Sequence, residues 1–316
     1  MATLSKRLLS CFKLALKKAS KTVLWLLKII LPISLFVSFL QFFGVIDWLS
    51  FILSPFFAYL GLPGEAAIVF ISSIFLALYA PIAIIATLPL GVREMTILAL
   101  MCLISHNMIV ETAVQRKTGS SPWIIFPLRL GMSIVAALLL NWLLPDQMGD
   151  ITGSVQTAVV YESIWAMLWD WCIMAFFLVL KMSAIISGLM FLQVVLKEFK
   201  ILDVVARLFA PFMKVMGLSS DSSFLWLVAQ TVGLTYGSAI LLEELEDHDM
   251  NAEDVNLLNY HIAVNHSLLE DTSLFWSMGV PLFWITIPRF LLAVAFVWIV
   301  RAYRRFLPAV RTLCCK

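Results

Sequence analysis

Two short polar patterns interrupt an otherwise apolar chain. The first is Ser105-His106-Asn107, followed by Glu111-Thr112. The second is Asn265-His266-Ser267, followed by Glu270-Asp271-Thr272. In each, a histidine stands about a helical turn from an acid. An imidazole exchanges its proton near neutral pH, and a neighbouring carboxylate favours the protonated ring, so the pairing suits proton coupling. A satisfied internal hydrogen bond is the plainer role open to the same histidines. Arg129 and Arg289 follow one span later in each half. Each can reach back across a short loop to Glu111 or Asp271 and form a buried ion pair, a structural role.

Other residue types narrow the chemistry. The five cysteines, Cys11, Cys102, Cys172, Cys314 and Cys315, form no CxxC pair, so neither a disulfide framework nor a zinc site is expected. No HExxH motif and no convincing nucleophile occur, so the expectation is no enzyme, no metal site and no cofactor. There is also no P-loop, GxGxxG or GxSxG motif. Uphill movement of a solute would then draw on an ion gradient or a partner. The acidic run 243–254 reads as a solvated cap, with a metal-gathering mouth as the alternative.

These groups must be positioned by membrane helices. The 316 residues are 62% hydrophobic and 13% charged, with mean hydropathy +0.97. Soluble domains carry about 25% charged residues. A soluble core cannot hide the excess, so lipid must solvate much of the surface. The apolar runs have the length of helical spans, about 20 residues, and lack the alternation of a barrel. Ionisable groups within such spans are costly and should face protein or water.

Along the chain, residues 1–21 read as a basic amphipathic helix on an anionic leaflet. Lys6, Arg7, Lys13, Lys17, Lys18 and Lys21 lie on one side, and Leu4, Leu8, Phe12 and Leu16 on the other. A first span follows from about Val23 to Phe43, then an interfacial helix over 46–60. Residues 65–90 are too long for one straight span and too short for two. They suit a re-entrant hairpin breaking at Tyr79-Ala80-Pro81. Spans near 92–114 and 122–144 complete the half.

The order then repeats. Ser54-Pro55-Phe56 and Gly61-Leu62 recur as Ala210-Pro211-Phe212 and Gly217-Leu218, and Leu27-Lys28 as Leu180-Lys181. His106, Glu111, Thr112 and Arg129 recur as His266, Asp271, Thr272 and Arg289, and Tyr79-Ala80 falls beside Tyr236-Gly237. Lys and Arg favour the cytoplasmic ends of spans. That places both termini, Arg116-Lys117 and the cluster Lys197, Lys200, Arg207 and Lys214 inside, and Asp47 and 145–163 outside. These assignments agree when the two copies have opposite orientation, with residues 163–179 lying along the outer interface rather than crossing. The expected fold is an all-α membrane protein of two inverted-topology repeats. Each holds about three transmembrane helices, a re-entrant hairpin and an interfacial helix. The segments are 1–21, a first repeat over 22–144, a periplasmic linker over 145–163, a second repeat over 164–301 and a basic tail over 302–316. The location is a bacterial-type inner membrane.

On these residues the chain resembles the nucleoside-recognition or Gate domain family. The domain occurs also in ferrous-iron transporter B and is related to part of the concentrative nucleoside transporters. The resemblance is carried by Gly61-Leu62-Pro63-Gly64, by the two His-acid-Thr patterns and by Arg129 and Arg289, and it covers about Val23 to Arg301 as two units. The second unit departs at Gly217-Leu218-Ser219-Ser220. The resemblance implies a nucleoside-like substrate class.

Two functional readings remain open. One is a secondary transporter or permease-like protein for a small polar or amphiphilic solute. The other is a non-transporting membrane scaffold or assembly protein. For the first, the solute site comprises Tyr79, Ser105, His106, Asn107, Glu111, Tyr236, Ser238, Asn265, His266, Glu270 and Asp271. Expected partners are the lipid bilayer, the solute and a coupling H+ or Na+, with homo-oligomer formation open and no nucleic acid. Reporter fusions test the orientation. A cytoplasmic reporter should be active at the C-terminus and a periplasmic one near residue 150. Periplasmic activity at the C-terminus would sink the inverted arrangement.

Overall fold

The computed structural model describes residues 4–148, 162–231, 233–234 and 251–306, and among them every regular element is helical. The first half gives α1 (Leu4–Phe42), α2 (Val45–Tyr59), α3 (Ala66–Phe75), α4 (Tyr79–Ile85), α5 (Val92–Ser105), α6 (Met108–Lys117) and α7 (Pro122–Leu143). The second gives α8 (Ile164–Glu198), α9 (Ile201–Val215), α10 (Ser223–Thr231), α11 (Ala252–Val264), α12 (Glu270–Ser277) and α13 (Leu282–Phe306). Four described stretches are long and apolar enough to cross a membrane: Val92–Lys117, which joins α5 and α6, Pro122–Leu143, Ile164–Leu196 and Leu282–Phe306.

α5 is the centre of the molecule. Every residue from Thr96 to Ser105 is fully buried, as expected of a helix apolar on all sides. It packs against α3, α7, α11, α12 and α13. α11 is almost as enclosed, from Asn256 to His266. The outer helices are apolar where they meet no protein: Trp123 and Trp142 at the two ends of α7 are 88% and 81% exposed. That spacing suits indoles seated at the two interfaces of a bilayer.

Two expectations about the long helices change. The segment 1–21 is not a separate element, because α1 runs unbroken from Leu4 to Phe42. The face bearing Leu4, Leu8, Phe12 and Leu16 is not its main packing face; those side chains are largely exposed, although Phe12 edges onto Phe191, whereas Cys11, Ala15 and Ala19 are buried. Small residues at four-residue spacing let two helices approach closely, and the partner is α8. Nor do residues 163–179 form an interfacial segment. From Ile164 they are the first half of α8, which nothing breaks before Glu198. The two helices run antiparallel, with Arg7 bonded to Glu198, Phe12 against Phe191 and Trp171 donating to Ser34. The tryptophan-rich start of α8 is thus a helix end, with Trp171 packed inward and Trp165 and Trp169 outward. Because α8 is one helix, it adds no crossing to the expected count.

The hairpin break also shifts. α3 ends at Phe75 and α4 starts at Tyr79, so the chain turns at 76–78 and Tyr79-Ala80-Pro81 form the first turn of α4. A proline near a helix start costs little because its missing amide hydrogen has no partner there. The second expected break, at Thr235-Tyr236-Gly237-Ser238, lies outside the described residues. So do most of 145–163, most of the acidic run and the end of the basic tail.

Corresponding elements are built alike. α2 and α9 each have 15 residues and close with the same motif. Leu62 N–H bonds Phe57 O and Gly61 N–H bonds Ala58 O; Leu218 N–H bonds Met213 O and Gly217 N–H bonds Lys214 O. This helix stop needs a left-handed residue, supplied by Gly61 (φ 72°) and Gly217 (φ 75°). At the first corner Arg93 donates to Gly61 O and to Asn141; at the second Arg301 donates to Gly217 O.

A Cβ at Gly61 would lie 2.1 Å from Asn141 Oδ1. Gly61→Ala should therefore lower thermal stability in detergent by more than the roughly 1–2 kcal/mol of a left-handed L-residue. Adding Asn141→Ala should recover only the collision part. Equal melting of Gly61→Ala and wild type would show that the corner is not strained.

Candidate functional site

The site is made by two helix breaks in the most buried part of the chain. α5 stops at Ser105; His106 is extended and Asn107 is left-handed at φ 50° before α6 begins. α11 stops at Val264; Asn265 is extended and Ser267 is left-handed at φ 53° before α12. A break frees backbone groups that hydrocarbon cannot satisfy. Here other helices satisfy them. Asn107 N–H bonds Ser73 O at 2.8 Å and Leu76 O at 3.0 Å, at the end of α3. Ser267 N–H bonds Ala229 O at 2.9 Å, at the end of α10. Arg129, fully buried on α7, donates to Ile104 O at 2.8 Å and His106 O at 2.7 Å. Gln230 donates to Asn265 O at 2.7 Å.

The breaks bring four side chains together. The His106 and His266 rings lie 5.1 Å apart between centroids. His106 Nε2 is 3.2 Å from Asp271 Oδ2 and 3.4 Å from Glu111 Oε1, and His266 Nε2 is 3.2 Å from Glu111 Oε2. Arg129 Nη1 closes on Glu111 Oε2 at 2.7 Å. Acids and histidines thus contact one another across the two halves. Each ring is also fixed from behind: His106 Nδ1 meets Cys102 O at 3.1 Å and His266 Nδ1 meets Ile262 O at 2.8 Å. A carbonyl only accepts, so both Nδ1 atoms carry hydrogen and both Nε2 atoms face the carboxylates.

The remaining expected residues are placed as follows. Tyr79 Oη donates to Glu270 Oε1 at 2.6 Å, joining the first hairpin to α12 beside the cluster. Ser105 turns away, bonding Met101 O and lying 3.3 Å from Ser73 Oγ. Asn107 and Asn265 shape the breaks with their backbones, and the side-chain amide of Asn265 has no hydrogen-bond partner among the described residues. Tyr236 and Ser238 lie outside the described residues. The arginines differ. Arg129 reaches Glu111 as expected, but Arg289 reaches Thr272 Oγ1 at 2.9 Å instead of Asp271. Asp271 has turned to His106, leaving Nε and Nη1 of Arg289 unbonded.

The cluster is closed. His106 is 5% exposed and His266 0%, and neither lines any of the larger cavities. The largest of these, about 1150 Å³, lies instead among Lys214, Asp221, Glu253, Asp254, Arg301 and Arg305. Among the described residues, no cavity of that size opens between the two histidines in this conformation.

Sequence reading missed two groups. Gln230, a lone amide in the apolar stretch of α10, holds the second break. A second buried network ties α11 to the turn after α6. Gln115 donates to Asn259 O, Asn259 to Thr118 Oγ1 and Ser120 Oγ, and Asn256 to Ser120 Oγ, while Arg304 donates to Asn256 Oδ1. The signal lies in Gln115, Thr118 and Ser120, whose types alone do not separate a buried network from a solvated turn.

Comparison with known proteins identifies the family. The family model described as Gate, nucleoside recognition, matches residues 23–120. The chain is 32% identical over 269 residues to the uncharacterized membrane protein YvoD of Bacillus subtilis (strain 168), covering 84% of this chain and 86% of that one. No solved structure matches the chain.

Arg129→Ala strands the Glu111 carboxylate and two break carbonyls, and should cost about 3–5 kcal/mol in stability. Arg129→Ala with Glu111→Gln should lose less than Arg129→Ala alone. Additive losses in a thermal-unfolding double-mutant cycle would refute the pairing.

Proposed function

We propose that this chain, which belongs to the Gate (nucleoside recognition) family of membrane proteins, is a secondary transporter or permease-like protein seen in an occluded conformation. The observation that carries the reading is the meeting of His106, Glu111, His266 and Asp271 from two corresponding helix breaks at the buried centre. Ionisable groups in a membrane interior are expensive and mark pathways or sites. Broken helices facing one another near the midplane are the arrangement secondary transporters use to hold a solute. The halves are read as inverted-topology repeats, with α3–α4 as a re-entrant hairpin of the first and the antiparallel α1 and α8 as their first helices. Both termini are read as cytoplasmic.

On this reading, opening moves one half against the other and parts the cross-half contacts of the two histidines. The Asn265 amide and Thr112 hydroxyl, without hydrogen-bond partners among the described residues, are then available to a small polar solute. Each contact between Nε2 and a carboxylate needs a shared hydrogen when no other cation is present, which supports H+ as the coupling ion. The scaffold reading keeps one observation in its favour: the same contacts are fully enclosed and interlock the halves.

Cys102 separates the two readings. It is fully buried, one turn before His106. With the other cysteines replaced by serine, a membrane-impermeant maleimide should modify Cys102 in native membranes, because a transporter opens. Protein that reacts only after denaturation would overturn transport and put the scaffold ahead.

A further inference from the structure

We infer that the central cluster is a binding site for a divalent transition-metal cation, with His106, His266, Asp271 and Glu111 as its ligands. This rests on the transport reading and gives the substrate class for that site. One donor atom each from His106, His266 and Asp271 fall within 4.8 Å of one another, all buried. The Nε2-to-carboxylate separations are 3.2 Å for His106 to Asp271, 3.4 Å for His106 to Glu111 Oε1 and 3.2 Å for His266 to Glu111 Oε2, close to the edge of about 3.3 Å of a tetrahedron with bonds of about 2.0–2.1 Å. The two histidines meet different Glu111 oxygens, so a single cation draws the donors together and turns Glu111.

The second line of argument is the state of the rings. A metal-binding imidazole usually gives its other N–H to a carbonyl or carboxylate, which fixes the tautomer and turns the free nitrogen to the metal. Both rings are held in this way, by Cys102 O and Ile262 O. His266 Nε2 is fully buried and lies 3.2 Å from Glu111 Oε2, the oxygen that Arg129 Nη1 also meets at 2.7 Å. An imidazole lone pair and a carboxylate oxygen are both acceptors, so their contact needs a proton or another cation between them.

Charge points the same way. Three buried carboxylates, Glu111, Glu270 and Asp271, face two buried guanidiniums, Arg129 and Arg289. With neutral rings the cluster carries one excess negative charge, which a cation relieves. Imidazole donors select transition ions such as zinc, cobalt, nickel or iron over sodium, magnesium or calcium, which prefer oxygen. Elsewhere in the chain, His261 packs against Trp226 and Phe290 with no acid in contact, so it offers no comparable site.

The test uses the purified full chain in detergent, titrated with Co2+ and then displaced with Zn2+. Wild type should bind one Co2+ with visible ligand-field absorption that Zn2+ abolishes. His266→Ala and Asp271→Asn should weaken binding by at least about 100-fold, beyond the 10–100-fold of an outer-shell change. His261→Gln should bind as wild type. Should the two ligand variants fail to fold, His266→Cys supplies a positive test: a ligated thiolate adds a charge-transfer band to the Co2+ spectrum. The inference is overturned if folded wild type takes up no stoichiometric Co2+ or Zn2+, or if His266→Cys binds Co2+ without that band. Maleimide access to Cys102 keeps the two readings apart. Labelling without metal binding removes the metal and leaves transport; metal binding without labelling supports the site and removes transport.

Discussion

A backbone amide or carbonyl cannot be left bare inside hydrocarbon, and this protein breaks its two most enclosed helices. The rest of the structure follows from repairing that. At the first break the amide of Asn107 takes carbonyls at the end of α3, and Arg129 takes the carbonyls of Ile104 and His106. At the second, the end of α10 supplies Ala229 O and the Gln230 side chain. At the first break the accepting carbonyls come from the end of α3, where the chain turns before α4. With the freed backbone groups satisfied, the extended and left-handed residues turn the two imidazoles towards each other. The site is a consequence of how the breaks are satisfied.

The same constraint explains what could be read from the sequence. The His-acid-Thr patterns and the following arginines were legible because ionisable residues in apolar runs have few places to go. Their assembly at one point follows from the cost of leaving them apart. The Gly61 and Gly217 corners were legible because a left-handed helix stop favours glycine. The breaks in α5 and α11 were not. Asn107 and Ser267 both adopt positive φ, and asparagine tolerates that more readily than most, but inside a span neither residue announces a break as proline does. Pro81 carries the stronger sequence signal for a break, yet it only opens α4.

The long helices were misread for a different reason. A basic amphipathic segment next to an apolar one has the same sequence signature whether the chain bends between them or not. Partner packing decides, through the stripe Cys11, Ala15 and Ala19 against α8. Small residues carry little weight in a hydrophobicity pattern, although they set how closely two membrane helices approach. The tryptophans of 163–179 misled in the opposite sense, since indoles mark the end of a span as well as a helix in the interface.

The inequality between the halves is informative in its own right. Arg129 bonds an acid while Arg289 bonds a hydroxyl, although the two occupy corresponding positions and each follows a His-acid-Thr pattern. Desolvation cannot be the cause, because both guanidiniums are fully buried. The difference lies in Asp271, which has left Arg289 for His106 across the interface between halves, whereas Glu111 keeps Arg129 and still touches both histidines. On the transport reading, the mirror arrangement would pair Arg289 with Asp271, pass Arg129 to the unbonded Thr112 hydroxyl and leave Glu111 to the histidines alone. The two arrangements would contain the same kinds of contact, and on the inferred metal reading a cation held by both acids and both rings would bias the choice between them. On that reading, corresponding residues in unequal contacts reflect two ways of satisfying the same buried charges.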